Sequence, residues 1–323
     1  MEQQKTWEDF VRPHLHPRPE VDETALLRRL QKPRGPVDVV LDTDTYNEVD
    51  DQYALAYLVS WGEKLRLKAV YAAPFHNQNA GSPRDGMEKS YREIQHILRL
   101  MGREDLTGRV YQGATAYLQN EKTPALSAAS LDLAQRAMDY TPDHPLYVVA
   151  IGAITNVASA LLQNPAIRDR VVIVWLGGNA LDWPDSVEFN LFQDIAAARV
   201  VFGSGAAVVQ LPCMGVVSAF TTSGPELCFH LKGKNSLCDY LVGLTCHEGE
   251  KSGCPTWTRA IWDVTAVAWL LDGPFMEDRL EHIPLPGYDD RYARDPASHL
   301  YRYVYHIHRD ALFADLFQRL AGL

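Results

Sequence analysis

The sequence lacks a long apolar run, an excess of basic residues and an apolar leader. No stretch approaches the roughly 18 apolar residues that a membrane span requires, and residues 1–36 are polar and proline-rich, without the apolar core of a secretory signal. With 31 Lys and Arg against 41 Asp and Glu, the net charge is −10. This charge argues against nucleic acid as the main partner, because phosphate binding needs a basic face. We expect a cytoplasmic protein that acts on a small molecule.

Cysteine is scarce and has no metal-binding spacing. The five cysteines are Cys213, Cys228, Cys238, Cys246 and Cys254, an odd number with no C-x-x-C pair. Reduced thiols in a reducing compartment are the favoured interpretation. A zinc site that combines some of these cysteines with His230 or His247 is the less favoured alternative.

Apolar runs typical of buried strands alternate with segments of helical periodicity. The predicted strands are residues 37–41, 65–73, 146–151, 171–176 and 206–211. The predicted helices are residues 52–61, 86–101, 127–140 and 153–162. This alternation predicts a single α/β domain with a mainly parallel central sheet flanked by helices, a Rossmann-like core.

The two ends of the chain are assigned separately. Residues 1–36 are predicted to form an N-terminal extension with a short helix at 23–30, and residues 37–323 the main domain. Near the C-terminus, the aromatic and histidine-rich stretch 301–308 is predicted as a helix. This stretch could pack at a subunit interface or cap the core.

The stretch that organises the chain is an acidic segment after the first predicted strand. Residues 37–51 read VDVVLDTDTYNEVDD and carry five acids within ten residues: Asp42, Asp44, Glu48, Asp50 and Asp51. Carboxylates crowded at the end of a buried strand repel one another, and a bound cation makes such crowding tolerable. Ligands of parallel sheets collect at the carboxyl ends of the strands. The segment therefore predicts a divalent metal site, for Ca²⁺, at that edge.

Other interpretations of the acidic segment fit less well. An EF-hand loop from Asp42 requires glycine at its sixth position and glutamate at its twelfth, where this chain has Asn47 and Tyr53. A phosphatase motif of the Asp-x-Asp type matches only in part. Asp50 and Asp51 could also be plain acids at a helix N-terminus, favoured by its dipole without any ligand.

The acidic segment resembles that of the nucleoside hydrolase (inosine-uridine preferring nucleoside N-ribohydrolase) family. The likeness rests on Asp-Thr-Asp after a strand and Asp-Asp opening a helix, followed in order by five further segments. These are residues 151–156 (IGAITN), 175–179 (WLGGN) with 187–190 (VEFN), 223–226 (SGPE), 233–235 (GKN) and 262–263 (WD). The resemblance spans roughly residues 37–273, and the ordered set is more specific than any one piece.

The resemblance implies one bound Ca²⁺ and a ribose-binding pocket. Its metal ligands are the carboxylates of Asp44, Asp51 and Asp263 with the backbone oxygen of Ile151. Asp44 also acts as the general base on the attacking water. The residues that contact the substrate are Asp50, Asn77, Glu188, Asn190 and Trp262. Asp42 is expected to orient the loop without binding the metal.

Three departures from the family pattern mark where this chain differs. Five residues, 45–49, separate Asp44 from Asp50 where three are usual, so Tyr46, Asn47 or Glu48 could reach the pocket, and His76 lies beside Asn77. A second departure concerns an asparagine usual before Glu188, for which Asp182 or Trp183 falls nearest. Finally, Trp262 stands where many members have a histidine.

The resulting expectation is Ca²⁺-dependent hydrolysis of the N-glycosidic bond of ribonucleosides to ribose and free base. Tryptophan at position 262 slightly favours a purine, because an indole ring stacks on a flat base. Alternatives are a hydrolase of another ribosyl or glycosyl compound and a non-catalytic sugar-binding protein. A homodimer or homotetramer is expected, with neither nucleic acid nor membrane as a partner.

Overall fold

Eight chain segments pair into one sheet in the computed structural model, which describes residues 19–323. The strands are β1 (Val37–Thr43), β2 (Leu65–Ala72), β3 (Val110–Gln112), β4 (Leu146–Ala150), β5 (Val171–Leu176), β6 (Ala207–Leu211), β7 (Thr221–Thr222), β8 (Arg259–Ala260), β9 (Met276–His282), β10 (Leu285–Pro286), β11 (Tyr292–Ala293) and β12 (Leu300–Ile307). The large sheet has the order β3-β2-β1-β4-β5-β6-β12-β9, and β7-β8 and β10-β11 form small two-stranded sheets. All pairs in the large sheet are parallel except β12 with β9.

Helices cover both faces of the sheet. In the described part of the chain they are α1 (Glu23–Arg29), α2 (Asp51–Ser60), α3 (Pro83–Leu100), α4 (Ala128–Arg136), α5 (Thr155–Gln163), α6 (Phe189–Gln193), α7 (Ile195–Gly203), α8 (Gly224–His230), α9 (Ser236–Glu250), α10 (Val264–Trp269) and α11 (Arg309–Ala321). The mainly parallel α/β architecture is therefore confirmed. The predicted extension contains α1, and its residues 1–18 lie outside the described residues.

The strands are continuous apolar runs because both faces of the sheet are buried. Along β1, Val39 and Leu41 pack into one apolar core while Val40 packs into the other. Side chains of a strand alternate between faces, so each central strand contributes to both cores. The carboxyl ends of β1, β2, β4, β5 and β6 consequently meet at one edge, where the acidic segment lies.

The prediction of a helix at residues 301–308 is wrong, because β12 occupies Leu300–Ile307 between β6 and β9. Tyr301 and Tyr303 are buried on one face, whereas Arg302 between them is half-buried. That period of two, together with aromatic and β-branched residues, is typical of a strand. The segment therefore completes the sheet of its own chain.

Two expectations about composition can be compared with this structure. All five cysteines are free, and within residues 19–323 none belongs to a group of three possible metal ligands. Between those same residues, no helix combines the length and apolar character needed to cross a membrane.

Gly86, in the first turn of α3, lies where this helix packs closely against the loop after β2. A Cβ built on Gly86 would lie 2.1 Å from the backbone oxygen of Phe75, whereas a Cβ on Gly108 meets nothing within 4 Å. Gly86→Ala is expected to lower the free energy of unfolding by about 1–3 kcal/mol through overpacking. Gly108→Ala, the matched control, should leave it within about 0.5 kcal/mol. Urea unfolding of both variants checks this, and equal stabilities would contradict the packing described.

Candidate active site

Four buried carboxylates from three chain segments meet at the carboxyl edge of the sheet. Asp44 follows β1, Asp50 and Asp51 lie at the start of α2, and Asp263 immediately precedes α10. Each is at most 3% exposed. Asp50, Asp51 and Asp263 each bring one oxygen within 4.8 Å of the other two, and Asp44 lines the same cavity. Two of the predicted metal ligands, Asp51 and Asp263, are thus brought together with Asp50, whereas the third, Asp44, shares the cavity with them.

Local structure holds this cluster in place. Thr43 Oγ1, at the end of β1, donates to Asp51 Oδ1 at 2.5 Å. Asp50 is the N-cap residue of the ten-residue α2 but makes no capping bond with its side chain. The helix dipole favours acids at this position. However, the carboxylate of Asp50 is left to point toward the cavity.

Burial raises the pKa of every carboxyl group in the cluster. For Asp44, Asp50 and Asp263 the pKa lies well above its usual value, first because of burial and then because of neighbouring carboxylates. Burial raises the pKa of Asp51 to about 6, while the hydrogen bond from Thr43 works in the opposite direction. A cation among these groups would offset the repulsion and favour their ionised forms.

The donor set fits a hard divalent cation. Asp44 Oδ2 is buried and has no hydrogen-bond partner in the described part of the chain, and the neighbouring carboxylates also supply oxygen. Ca²⁺ binds carboxylate and backbone oxygens, and Ile151 lines this cavity directly after β4. Gly152 leaves room for the Asp44 carboxylate, because a Cβ at position 152 would lie 2.9 Å from Asp44 Oδ1.

Asp42 lies behind the cavity rather than in it. It is fully buried and accepts a 2.8 Å hydrogen bond from Asn156 Nδ2, while its second oxygen has no partner among residues 19–323. Burial raises its pKa to about 7. Neither Asp42 nor Asn156 lines the cavity, which agrees with the expectation that Asp42 does not bind the metal directly.

A second part of the cavity wall is built by the loop between β5 and α6. Glu188 caps α6 by accepting from the backbone N–H groups of Asn190 at 2.9 Å and Leu191 at 3.1 Å, and from that of Gly178 at 2.7 Å. Asn190 Nδ2 donates to the Leu176 oxygen at 3.0 Å. Both predicted sugar-binding residues line the cavity, held by backbone groups, and Trp262 lines it too.

The longer loop 45–49 brings two of its residues into the cavity. Asn47 and Glu48 line it, whereas the Tyr46 side chain is 44% exposed. Glu48 pairs with Arg259 at 2.8 Å.

Four other predicted candidates do not line the cavity, and two of them belong to the loop after β2. Asn77 donates to Asn47 Oδ1 at 2.6 Å, and the His76 backbone binds Gln193 at 2.9 Å. Asp182 and Trp183 are exposed, outside the residues that line the cavity.

Six cavity residues were not among the predicted site residues, although the first four lie in segments 175–179 and 187–190: Leu176, Asn179, Val187, Phe189, Cys213 and Met214. Asn179 ties the loop together, since its Nδ2 donates to the Val187 oxygen at 3.0 Å and its Oδ1 accepts from the Met214 N–H at 3.3 Å. For two of these residues, the sequence contained a signal that they lie near the cavity. Cys213 and Met214 follow β6, and the carboxyl end of every parallel strand faces the same edge.

The fold and the buried acids define the class: an α/β protein with a cation-binding cavity at the carboxyl edge of its sheet. The chain belongs to the inosine-uridine preferring nucleoside hydrolase family, whose model matches residues 39–294.

Curated relatives of the chain match it only in part. The pyrimidine-specific ribonucleoside hydrolase RihA of Enterobacter is 28% identical over 195 residues, which are 53% of this chain and 58% of that protein. RihA of Citrobacter koseri is 28% identical over 146 residues, 38% and 46% of the two chains. The chain therefore spans about half the length of the curated relatives it matches.

Solved structures with the same fold cover more of the chain. A purine-preferring ribonucleoside hydrolase from Gardnerella vaginalis has a TM-score of 0.73 at 20% identity, covering 88% of this chain and 98% of that one. The type III effector XopQ, solved with adenosine diphosphate ribose, has a TM-score of 0.65 at 17% identity, covering 93% and 98%. At these identities the likeness is one of fold.

The carboxylate cluster predicts a stabilising response to calcium. At about 100 times its dissociation constant, an ion that binds only the folded protein adds about 2.7 kcal/mol to stability. The melting temperature of metal-stripped protein is expected to rise when CaCl2 is added. Asp263→Asn should abolish this rise, whereas Asp310→Asn, at an exposed acid on α11, should keep it. A thermal melt of the three proteins decides, and an unchanged rise in Asp263→Asn would contradict the site.

Proposed function

We propose that this protein hydrolyses the N-glycosidic bond of ribonucleosides, with Ca²⁺ held by Asp44, Asp51, Asp263 and the backbone oxygen of Ile151. The observation that carries the proposal is the placement of two walls around one cavity of about 270 Å³. Buried, mutually repelling carboxylates form one wall, and Glu188 and Asn190 form the other. A sugar between them meets hard oxygen ligands on one side and hydrogen-bonding groups on the other.

The chain's own residues account for water activation. When bound, the cation supplies a Lewis acid that lowers the pKa of water. Asp44 is the general base, because its Oδ2 has no hydrogen-bond partner within residues 19–323 and its side chain belongs to the lining of the cavity. The water oxygen bonds to the anomeric carbon while the carbon–nitrogen bond breaks and its electron pair moves to the base. The proton that Asp44 accepts balances the one the departing base takes up.

The remaining polar groups hold the sugar. Asp50 and Glu188 accept hydrogen bonds from ribose hydroxyls, and these bonds strengthen as positive charge develops on the ring. Asp50 lies next to the metal ligand Asp51, so the same segment holds both ion and sugar. Asp42 acts only by orienting Asp44 through the strand end.

The charge of the cavity favours a substrate without phosphate. Six of the cavity side chains are carboxylates, and neither lysine nor arginine is among those described. The nearby Arg259 is already paired with Glu48. A phosphorylated nucleoside would therefore meet uncompensated negative charge. Another ribosyl compound, such as the adenosine diphosphate ribose bound by XopQ, is the alternative substrate class, and its diphosphate would have to lie outside the carboxylate-lined cavity.

Trp262 supports a purine as the leaving base. It lines the cavity directly before Asp263, and Val187 and Met214 are apolar residues of the same lining. A stacked indole stabilises a large flat base, and the position lacks a side chain that could donate a proton as histidine does. The curated relatives are named pyrimidine-specific, so base choice is a separate question from hydrolysis.

The activity is tested with a panel of nucleosides, adenosine diphosphate ribose and a generic phosphoester, in excess calcium. Release of reducing sugar from at least one ribonucleoside is expected, with no phosphate release. Asp44→Asn should lower kcat by about 100-fold or more, because general base catalysis contributes roughly that much. Asp310→Asn is the control with unchanged kcat. No turnover of any nucleoside would reject the proposal, and turnover of adenosine diphosphate ribose alone would support the alternative.

Base choice is tested at Trp262. Trp262→Ala is expected to lower kcat/KM for inosine more than for uridine, shifting their ratio by about 3- to 10-fold, since aromatic stacking contributes about 0.5–1.5 kcal/mol. Trp262→Phe, which keeps an aromatic face, should restore most of the ratio. An equal loss of kcat/KM on both nucleosides would show that Trp262 does not contribute to base recognition.

A further inference from the structure

The lengthened acidic loop places a second amide, that of Asn47, beside Asn77. Asn77 matches the family's sugar-binding asparagine, yet it does not line the cavity. Its Nδ2 donates to Asn47 Oδ1 at 2.6 Å, so Asn47 lies between Asn77 and the cavity. Asn47, which belongs to the lengthened loop, is 8% exposed and lines the cavity beside Glu48 and Asp50.

The loop holds Asn47 in this position from several sides. Its backbone N–H donates to the backbone oxygen of Asp44 at 2.7 Å, and its backbone oxygen accepts from Asn79 Nδ2 at 2.9 Å. On either side of it, Tyr46 N–H contacts Ser90 Oγ at 3.4 Å and Glu48 pairs with Arg259 at 2.8 Å. With its backbone and Oδ1 both engaged, Asn47 presents Nδ2 as its remaining polar group.

Hydrogen-bond donors are scarce in this cavity. Its carboxylates accept only, when ionised. Of the three asparagines that line it, Asn179 donates through Nδ2 to the Val187 oxygen at 3.0 Å and Asn190 to the Leu176 oxygen at 3.0 Å. Among residues 19–323, Asn47 Nδ2 donates to no protein atom.

A ribose hydroxyl needs both an acceptor for its proton and a donor for its lone pairs. Asp50 supplies a buried acceptor on the same loop, and Asn47 supplies the donor. We infer that Asn47 binds a ribose hydroxyl in place of Asn77, and that Asn77 acts as a positioning residue that fixes the Asn47 amide. The inference rests on the proposed function and names the residue that sets its sugar specificity.

The test compares a ribonucleoside that the wild type hydrolyses with its 2′-deoxy and 3′-deoxy analogues. Asn47→Ala should lower kcat/KM on the ribonucleoside by about 10-fold, which is the upper end of what one hydrogen bond contributes. On the analogue that lacks the contacted hydroxyl, the loss should shrink to less than about 2-fold. Equal losses on all three substrates, or no loss on the ribonucleoside, would overturn the inference.

Two further variants separate direct contact from loop disruption. Asn79→Ala removes the bond to the Asn47 backbone outside the cavity, and any loss it causes should be the same on all three substrates. Asn77→Ala should cause a loss that depends on the same hydroxyl as Asn47→Ala. The double variant should lose no more than Asn47→Ala alone. A full, additive effect of Asn77→Ala would show that Asn77 itself contacts the sugar.

A ribose-binding experiment tests the role of Asn47 separately from the proposed hydrolytic activity. In CaCl2, D-ribose is expected to raise the melting temperature of the wild type, and Asn47→Ala should lose at least half of that rise. 2-Deoxy-D-ribose, which lacks the 2-hydroxyl, is the matched probe for a contact at that hydroxyl. If the wild type hydrolyses no nucleoside but shows the Asn47-dependent ribose shift, the hydrolytic function fails and the role of Asn47 stands. A ribose shift that is absent, or unchanged in Asn47→Ala, overturns it.

Discussion

Repulsion among buried carboxylates is the constraint on which the site depends. Asp44, Asp50, Asp51 and Asp263 are almost completely removed from water, yet few protein groups compensate them. Burying charge without a partner is costly, and a hydrogen bond such as that from Thr43 to Asp51 offsets only part of the cost. The divalent ion that we propose would resolve this conflict, and its binding energy would then be linked to the stability of the site.

The parallel sheet brings these residues together from distant parts of the chain. Asp44 follows β1, Ile151 follows β4 and Asp263 opens α10, and the carboxyl ends of parallel strands share one edge. The same edge carries the loop after β5, in which Glu188 is fixed by three backbone N–H groups. Rigid backbone therefore holds both walls of the cavity, which is what a site needs to position a sugar against a nucleophile.

The sequence predicted most of the fold because continuous apolar strands and helix periodicity leave a strong pattern. Residues 171–176 were assigned with the bounds that β5 has. The prediction of a helix at residues 301–308 was wrong, because the buried tyrosines of this segment recur with the period of two that is typical of a strand.

Within the site, local motifs located the acids, Glu188, Asn190 and Trp262. Contacts between loops that are distant along the chain could not be predicted from the sequence. The replacement of Asn77 by Asn47 at the cavity depends on a 2.6 Å contact across 30 residues, which no spacing rule reveals.

The central claim is that the buried carboxylates hold one divalent ion that hydrolysis requires. The most direct measurement titrates CaCl2 into metal-stripped protein and follows ion binding by calorimetry and nucleoside hydrolysis in parallel. We predict saturation at one ion per chain, with the hydrolysis rate rising along the same curve as occupancy. Full nucleoside hydrolysis by metal-stripped protein in excess chelator, or a rate that does not follow occupancy, would contradict the account.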